Sequence, residues 1–333
     1  MNRWQDDPAY QAVERAFVDG DPLDQVGGPL DVRAVVAGIR AEARERFLIE
    51  EVPWGRFPEG GRVREAMEWL RSGDATRADS ALGRLGGLCA DDRRAAVAPT
   101  VPFLIRIGTD PEASHRVAAL AVTASAARMR YHGVCTRADM LRFRDDEWFF
   151  EVTGYPQNWS VRAARDAIAA DAGLLLPLLD DPDPEMRIAA AYVLAAATCR
   201  VRSIRTAFHA RLLVEHDPAT RAGLVLAIAE LGRAHPDPWT ARWLRSCWSD
   251  PARPPEVRVI AALGWLCLTD LPVPDELRTM LDELATDQTA RLTAPLPWMR
   301  AVASIDGDGL TRCLRIMLHP DTADTEGYDA PWL

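Results

Sequence analysis

An Asp-Pro pair, followed within a few residues by Arg and an Ala-rich apolar run, occurs four times in the chain. This recurrence constrains the fold more than any other feature. It reads Asp110-Pro111…Arg116-Val117-Ala118-Ala119-Leu120, then Asp181-Pro182…Arg187-Ile188-Ala189-Ala190, then Asp217-Pro218…Arg221-Ala222-Gly223-Leu224, then Asp250-Pro251…Arg258-Val259-Ile260-Ala261-Ala262-Leu263. The arginines stand 71, 34 and 37 residues apart, and a weaker forerunner, Asp74-Ala75-Thr76-Arg77, places its Arg 39 residues before Arg116. Intervals of that size without strand signals are one helical hairpin each, or two for the longest. One hairpin cannot cover its own apolar face, so its stability comes from stacking on its neighbours.

Each phrase predicts the start of a hairpin's second helix. Asp ends the preceding turn and caps backbone N–H groups, Pro fits the first helical turn where no donor is needed, and Glu185 or Glu256 sits near the positive helix N-terminus. The alanines let helices approach closely. Val257, Ile260, Ala261, Leu263 and Gly264 then form the stripe that faces the next hairpin.

The pattern resembles the HEAT-repeat family, including the short bacterial HEAT-like repeats, over about residues 74–130 and 159–318. The residues that carry the resemblance are the Asp-Pro, the Val/Met-Arg pair and the Ala-Ala-x-x-Leu continuation. It implies an all-α fold: an α-solenoid of stacked antiparallel helical hairpins, here with an irregular N-terminal cap and one mid-array insertion. The family implies scaffolding and no particular chemistry, so no functional residue carries over from it.

The expected layout is an atypical helical cap over 1–73, repeats over 74–130, an insertion over 131–158, repeats over 159–320 and an acidic tail over 321–333. Helices are expected near 8–18, 31–50 and 62–72 in the cap. In the array they are expected near 91–107, 111–128, 159–179, 184–198, 200–214, 218–233, 238–248, 254–268, 274–285, 290–304 and 307–318.

The 71-residue interval is nearly twice a repeat, and the excess falls at 131–158. Aromatic residues concentrate there beside an acidic triplet: Tyr131, Phe143, the run Asp145-Asp146-Glu147-Trp148-Phe149-Phe150, Tyr155 and the following Trp159. Insertions in repeat arrays are surface features, and aromatic anchors beside charges are what interface hot spots are made of. The other reading is a degenerate repeat in which Thr136–Phe150 forms a short helix and the aromatics plug the gap it leaves. The candidate binding residues are Tyr131, Asp145, Asp146, Glu147, Trp148, Phe149, Tyr155 and Trp159, with Tyr192 in the second helix 184–198.

The sequence carries no recognisable catalytic or metal-binding motif. None of the six histidines stands three or four residues from another, and His132 with Cys135 is a pair without a second pair of ligands. No His is followed by Glu, which excludes the paired His-Glu dipeptides of the iron-binding HEAT-like hydroxylases. There is no Gly-x-Ser-x-Gly and no phosphate-binding glycine loop, and the absence of lysine removes Schiff-base and Walker-type chemistry. Neither catalytic residues nor a cofactor or metal site are assigned. Trp239, Trp243, Trp248 and Trp265 read as hairpin core, the alternative being an aromatic cage.

The six cysteines are scattered, mostly inside apolar helical runs, and read as small buried hydrophobes of a reducing compartment. A net charge of −10 disfavours a nucleic-acid partner, which needs a basic stripe. No run approaches the roughly 18 to 20 uncharged residues of a membrane span, and a cytoplasmic protein is expected. The resulting functional expectation is a non-catalytic protein-interaction scaffold, adaptor or inhibitor. Its binding elements would be the concave, second-helix face and the 131–158 insertion, engaging another protein. The alternative is a HEAT-like enzyme or small-ligand binder of lyase or DNA-glycosylase type.

Overall fold

The computed structural model describes residues 30–129, 150–302 and 309–318, with the single positions 11, 15, 137 and 141. Among the described residues the chain is all-helical. Their one β-type pairing is an isolated bridge between Phe150 and Pro156. The chain divides into two compact units, the first drawing on Met1–Arg130, Arg144–Leu175 and Ala196–Cys199, the second on Tyr131–Phe143, Leu176–Ala195 and Arg200–Leu333. Most of the expected helix 8–18, most of the insertion and the tail 321–333 lie outside the described residues.

The first unit contains α1 (Val32–Gly38), α2 (Ala41–Glu45), α3 (Gly60–Arg71), α4 (Ala75–Ala90), α5 (Val101–Thr109), α6 (Arg116–Ala126), α7 (Gln157–Ala170) and the single turn α8 (Ala172–Leu175). Asp31 caps α1 and Asp74 caps α4, each carboxylate accepting a backbone N–H of the first turn. Helix α3 packs on α4, α4 and α5 pack on α6, and α1 packs on α7. The helix expected over 31–50 is broken, because Ile39 and Arg40 take extended backbone between α1 and α2. The one expected from 91 begins ten residues later, after Asp92 has turned the chain at positive φ.

The second unit contains α9 (Pro184–Ala195), α10 (Val201–Val214), α11 (Pro218–Ala234), α12 (Pro238–Ser249), α13 (Pro255–Cys267), α14 (Asp275–Leu284), α15 (Asp287–Thr293), α16 (Pro297–Val302) and α17 (Gly309–Leu318). Helix α10 packs on α11 and α12 on α13, while α9, α11 and α13 pack on one another in succession. Small residues set the spacing of that row. A Cβ at Gly264 of α13 would lie 2.8 Å from the Cβ of Ala229 in α11, closer than side chains approach without a shift.

The recurring arginines have a common structural role. Arg187 donates through Nη1 to the carbonyls of Asp181 and Pro182 at 2.9 and 3.0 Å, and Arg221 donates through Nη1 to those of His216 at 2.8 Å and Glu215 at 3.4 Å. Arg116 reaches the Gly108 carbonyl at 3.2 Å and Arg258 the Trp248 carbonyl at 3.1 Å. The guanidinium thus folds back on carbonyls that the end of the preceding helix or its turn leaves without helical partners. Arg187 and Arg221 also reach sideways: Arg187 chelates Glu215, and Arg221 binds Glu256 with Nε and Nη2 at 2.9 and 2.6 Å. These rungs tie one hairpin to the next.

The aspartates behave less uniformly than the repeat suggests. Asp217 caps α11 directly, accepting from the Thr220 amide at 2.7 Å, with Pro218 in the first turn. Asp110, Asp181 and Asp250 instead accept the amide two residues on, forming Asx turns within the loop, and their helices start later, at Arg116, Pro184 and Pro255.

The second helices are buried on nearly every side: Ala222 to Gly232 without a gap in α11, and Val259 to Cys267 in α13. The chain's own C-terminal helices cause this. Helix α15 packs on α11 and α13, and α17 on α13. The Trp298 indole stands edge-on to Tyr192 at 4.7 Å and donates Nε1–H to Glu230 at 2.9 Å. Leu296 lies beside Trp298 over Gly223. The second-helix face that the repeat pattern expects to be open to a partner is filled by the chain itself in this unit.

Candidate interaction surface

With the second helices covered, the first helices α10 and α12 carry the unit's distinctive exposed side chains. Asp237 starts α12: its Oδ1 accepts the amides of Trp239 and Thr240 at 2.8 and 3.0 Å, and Pro238 occupies the first turn. The same carboxylate pairs with Arg205 of α10 at 2.8 Å. Burial alone would raise the Asp237 carboxyl, but the Thr240 and Trp239 hydrogen bonds and Arg205 outweigh it and hold it below the ordinary range. One helical turn along, His209 of α10 meets Trp243 of α12 edge-on at 4.6 Å. Burial first, and Arg205 second, lower the His209 pKa. Two side-chain contacts, one ionic and one aromatic, thus link the two helices.

Neither α10 nor α12 contains a carboxylate. Arg205 and Arg211 are held by Asp237, Asp180 and Glu215, whereas Arg200, Arg202, Arg242 and Arg245 are exposed and make no ion pair among the described residues. Between these charges stand large apolar groups: Trp239 is 73% exposed, Leu213 82% and Val214 57%. Along α10 a shallow recess of about 790 Å³ is lined by Val201, Ala207 and Ala210 together with Ser203, Thr206, Arg200 and Arg202. In a chain of net charge −10, this is a basic face with apolar anchors.

Of the residues expected to bind, Tyr131, Asp145, Asp146, Glu147, Trp148 and Phe149 lie outside the described residues. Tyr155 and Trp159 are core side chains, each 2% exposed, rather than surface anchors. The Tyr155 hydroxyl donates to the Leu30 carbonyl, its ring stands edge-on between Phe57 and Trp159, and Arg33 stacks on Trp159 at 4.6 Å. Their apolar area is therefore spent on folding the first unit. Tyr192 is half-buried beneath Trp298. Trp248 and Trp265 are core as expected, but Trp239 of the same group is not.

The segment that enters α7 also carries a buried polar cluster. Glu151, 1% exposed, accepts from the Ser160 hydroxyl at 2.8 Å and the Ala95 amide at 3.2 Å, after which Gly154 turns the chain at positive φ so that Tyr155 returns to the core. Burial pushes the Glu151 carboxyl up to about 7 against these hydrogen bonds and the buried Arg94. Cys89 lies in the same field with its thiol pushed up to about 12 by burial, which leaves no thiolate for nucleophilic work. Among the described residues no group of three His, Cys, Asp or Glu side chains is placed to hold a metal ion, and no helix is long and apolar enough to cross a membrane.

Cys89, Cys247, Cys267 and Cys313 are buried as their apolar settings suggest, whereas Cys199 is exposed and Cys135 lies outside the described residues. The α10–α12 face was missed by sequence reading. Its available signal was the absence of any Asp or Glu from 200–214 and from 238–249 in a chain otherwise rich in both. Comparison with protein-family models, with curated proteins and with solved structures finds no match.

Proposed function

We propose that the chain is a non-catalytic protein-interaction scaffold of HEAT-like helical hairpins, and that it engages its partner through the first-helix face formed by α10 and α12. The observation that carries this reading is the exposure of Trp239, Leu213 and Val214 on two helices linked by Arg205–Asp237 and His209–Trp243. Large apolar side chains held at fixed positions on a rigid frame lose little freedom on binding, and aromatic anchors dominate interface energies.

The test is affinity capture from a lysate of the source organism with the full chain and with a Trp239→Ala/Leu213→Ser double variant. A stoichiometric protein partner that the wild type retains and the variant loses, at unchanged helical circular dichroism and melting, is the expected result. Equal retention by both would sink the reading.

A further inference from the structure

The face has two chemistries at once, and a partner must answer both. Arg200, Arg202 and Arg242 present guanidinium groups without carboxylate partners among the described residues. Val201, Ala207 and Ala210 floor a recess in which the small side chains expose an apolar hollow instead of filling it, and Leu213 and Val214 continue the apolar character to the far end of α10. We propose that the α10–α12 face is the docking site of an acidic amphipathic helix, whose carboxylates meet Arg202 and Arg242 and whose apolar stripe enters the recess on α10. This deepens the scaffold reading, on which it rests, by naming the partner's chemistry.

Charge complementarity and shape decide the occupant. A phosphate backbone would engage the arginines but has nothing to set into the recess or against Leu213 and Val214. A lipid surface is planar, whereas a helix laid along α10 places side chains three and four residues apart into the hollow. An acidic helix supplies the carboxylates for bidentate arginine pairing as well as the apolar stripe.

The probe is a fluorescein-labelled helical peptide with Leu along one face and Glu on the other, titrated with the full chain and read by fluorescence anisotropy. Binding that weakens with added salt is expected, and Arg202→Glu/Arg242→Glu should weaken it by about tenfold or more. The same double variant should gain affinity for a matched peptide carrying Lys in place of Glu. Ala210→Trp, which fills the recess and leaves every charge in place, should reduce binding by a similar factor.

The proposal is overturned if the wild type fails to bind the Glu peptide, or if neither Arg202→Glu/Arg242→Glu nor Ala210→Trp changes its affinity. It is also overturned if a single-stranded oligonucleotide or vesicles of anionic lipid bind more tightly than the peptide at the same salt. Failure of the peptide while a native partner still depends on Trp239 would discard the acidic helix and keep the scaffold; loss of both dependences would discard both.

Discussion

The guanidinium of Arg187 holds both carboxylate oxygens of Glu215, with Nε on Oε2 at 2.8 Å and Nη2 on Oε1 at 2.9 Å. Glu215 also accepts the amides of His216 and Asp217, each at 2.9 Å, and is approached by Arg211. Burial works to raise its pKa, yet Arg187, the Asp217 amide and Arg211 together carry the carboxyl below the ordinary range. Removing Arg187 leaves a buried carboxylate with only part of its compensation. Arg187→Ala should therefore lower unfolding free energy by about 3 kcal/mol. In a urea-denaturation double-mutant cycle, Glu215→Ala should cost much less in the Arg187→Ala background than in the wild type, and additive costs would show that the pair is not coupled.

Glu151 makes stability depend on pH in the opposite sense to most carboxylates. Its folded-state pKa of about 7 lies above the ordinary 4.5, so between these values the folded chain keeps a proton that the unfolded chain releases. The folded state accordingly loses ground as pH rises through this window and is insensitive to this group on either side of it. Glu151→Gln should flatten the fall in melting temperature between about pH 5 and pH 8, with its largest gain over wild type at the alkaline end. An unchanged fall in the variant would remove Glu151 as its source.

Trp298 covers the second helices and donates its indole N–H to Glu230. Trp298→Ala should cost about 3 to 5 kcal/mol in chemical denaturation, chiefly from the cavity that the lost indole leaves beside Tyr192 and Gly223. Trp298→Phe, which keeps an aromatic ring in that space but cannot donate to Glu230, should recover most of the loss. No recovery would mean that the bond to Glu230, rather than the cavity, sets the cost.

The cysteines should separate sharply in a thiol-labelling experiment. Burial pushes the Cys89 and Cys267 thiols up to about 12 and raises that of Cys247, while Cys199 is exposed. In a Cys135→Ser background, the native chain should show one fast-reacting thiol, abolished by Cys199→Ser. A fast phase that survives both substitutions would contradict the burial of the other four.

Much of the helical order was legible because it is written in local chemistry. The end of α10 at Val214, the cap at Asp217 and the start of α11 at Pro218 follow from Asp, Pro and the apolar run that comes after them. The break at Ile39 was not, although Gly38 marks it, since a single Gly is tolerated inside a helix and Arg40 reads as part of a charged helical face. The openness of the second-helix face was misjudged for a different reason. An Ala-rich helix that faces one neighbour and a helix enclosed on all sides have nearly the same sequence, and only the return of Leu296 and Trp298 distinguishes them. Tyr155 and Trp159 illustrate the same limit at the site: an aromatic residue beside acidic ones reads as an anchor, and nothing local announces Phe57 or the Leu30 carbonyl. Trp239 erred the other way, read with Trp248 as core although its position in the first turn of α12 turns it outward.

The bond from Trp298 to Glu230 spans 68 residues, whereas the Arg187–Glu215 and Arg221–Glu256 rungs span 28 and 35. Contacts between near neighbours along the chain form early because little loop entropy opposes them, and a closure of longer range gains its reward only once the row of helices exists. The C-terminal cover of the second unit is thus a late event in folding. Its loss should leave the refolding rate nearly unchanged and appear almost wholly as faster unfolding, which makes Trp298 a determinant of how long the native state lasts rather than how quickly it is reached.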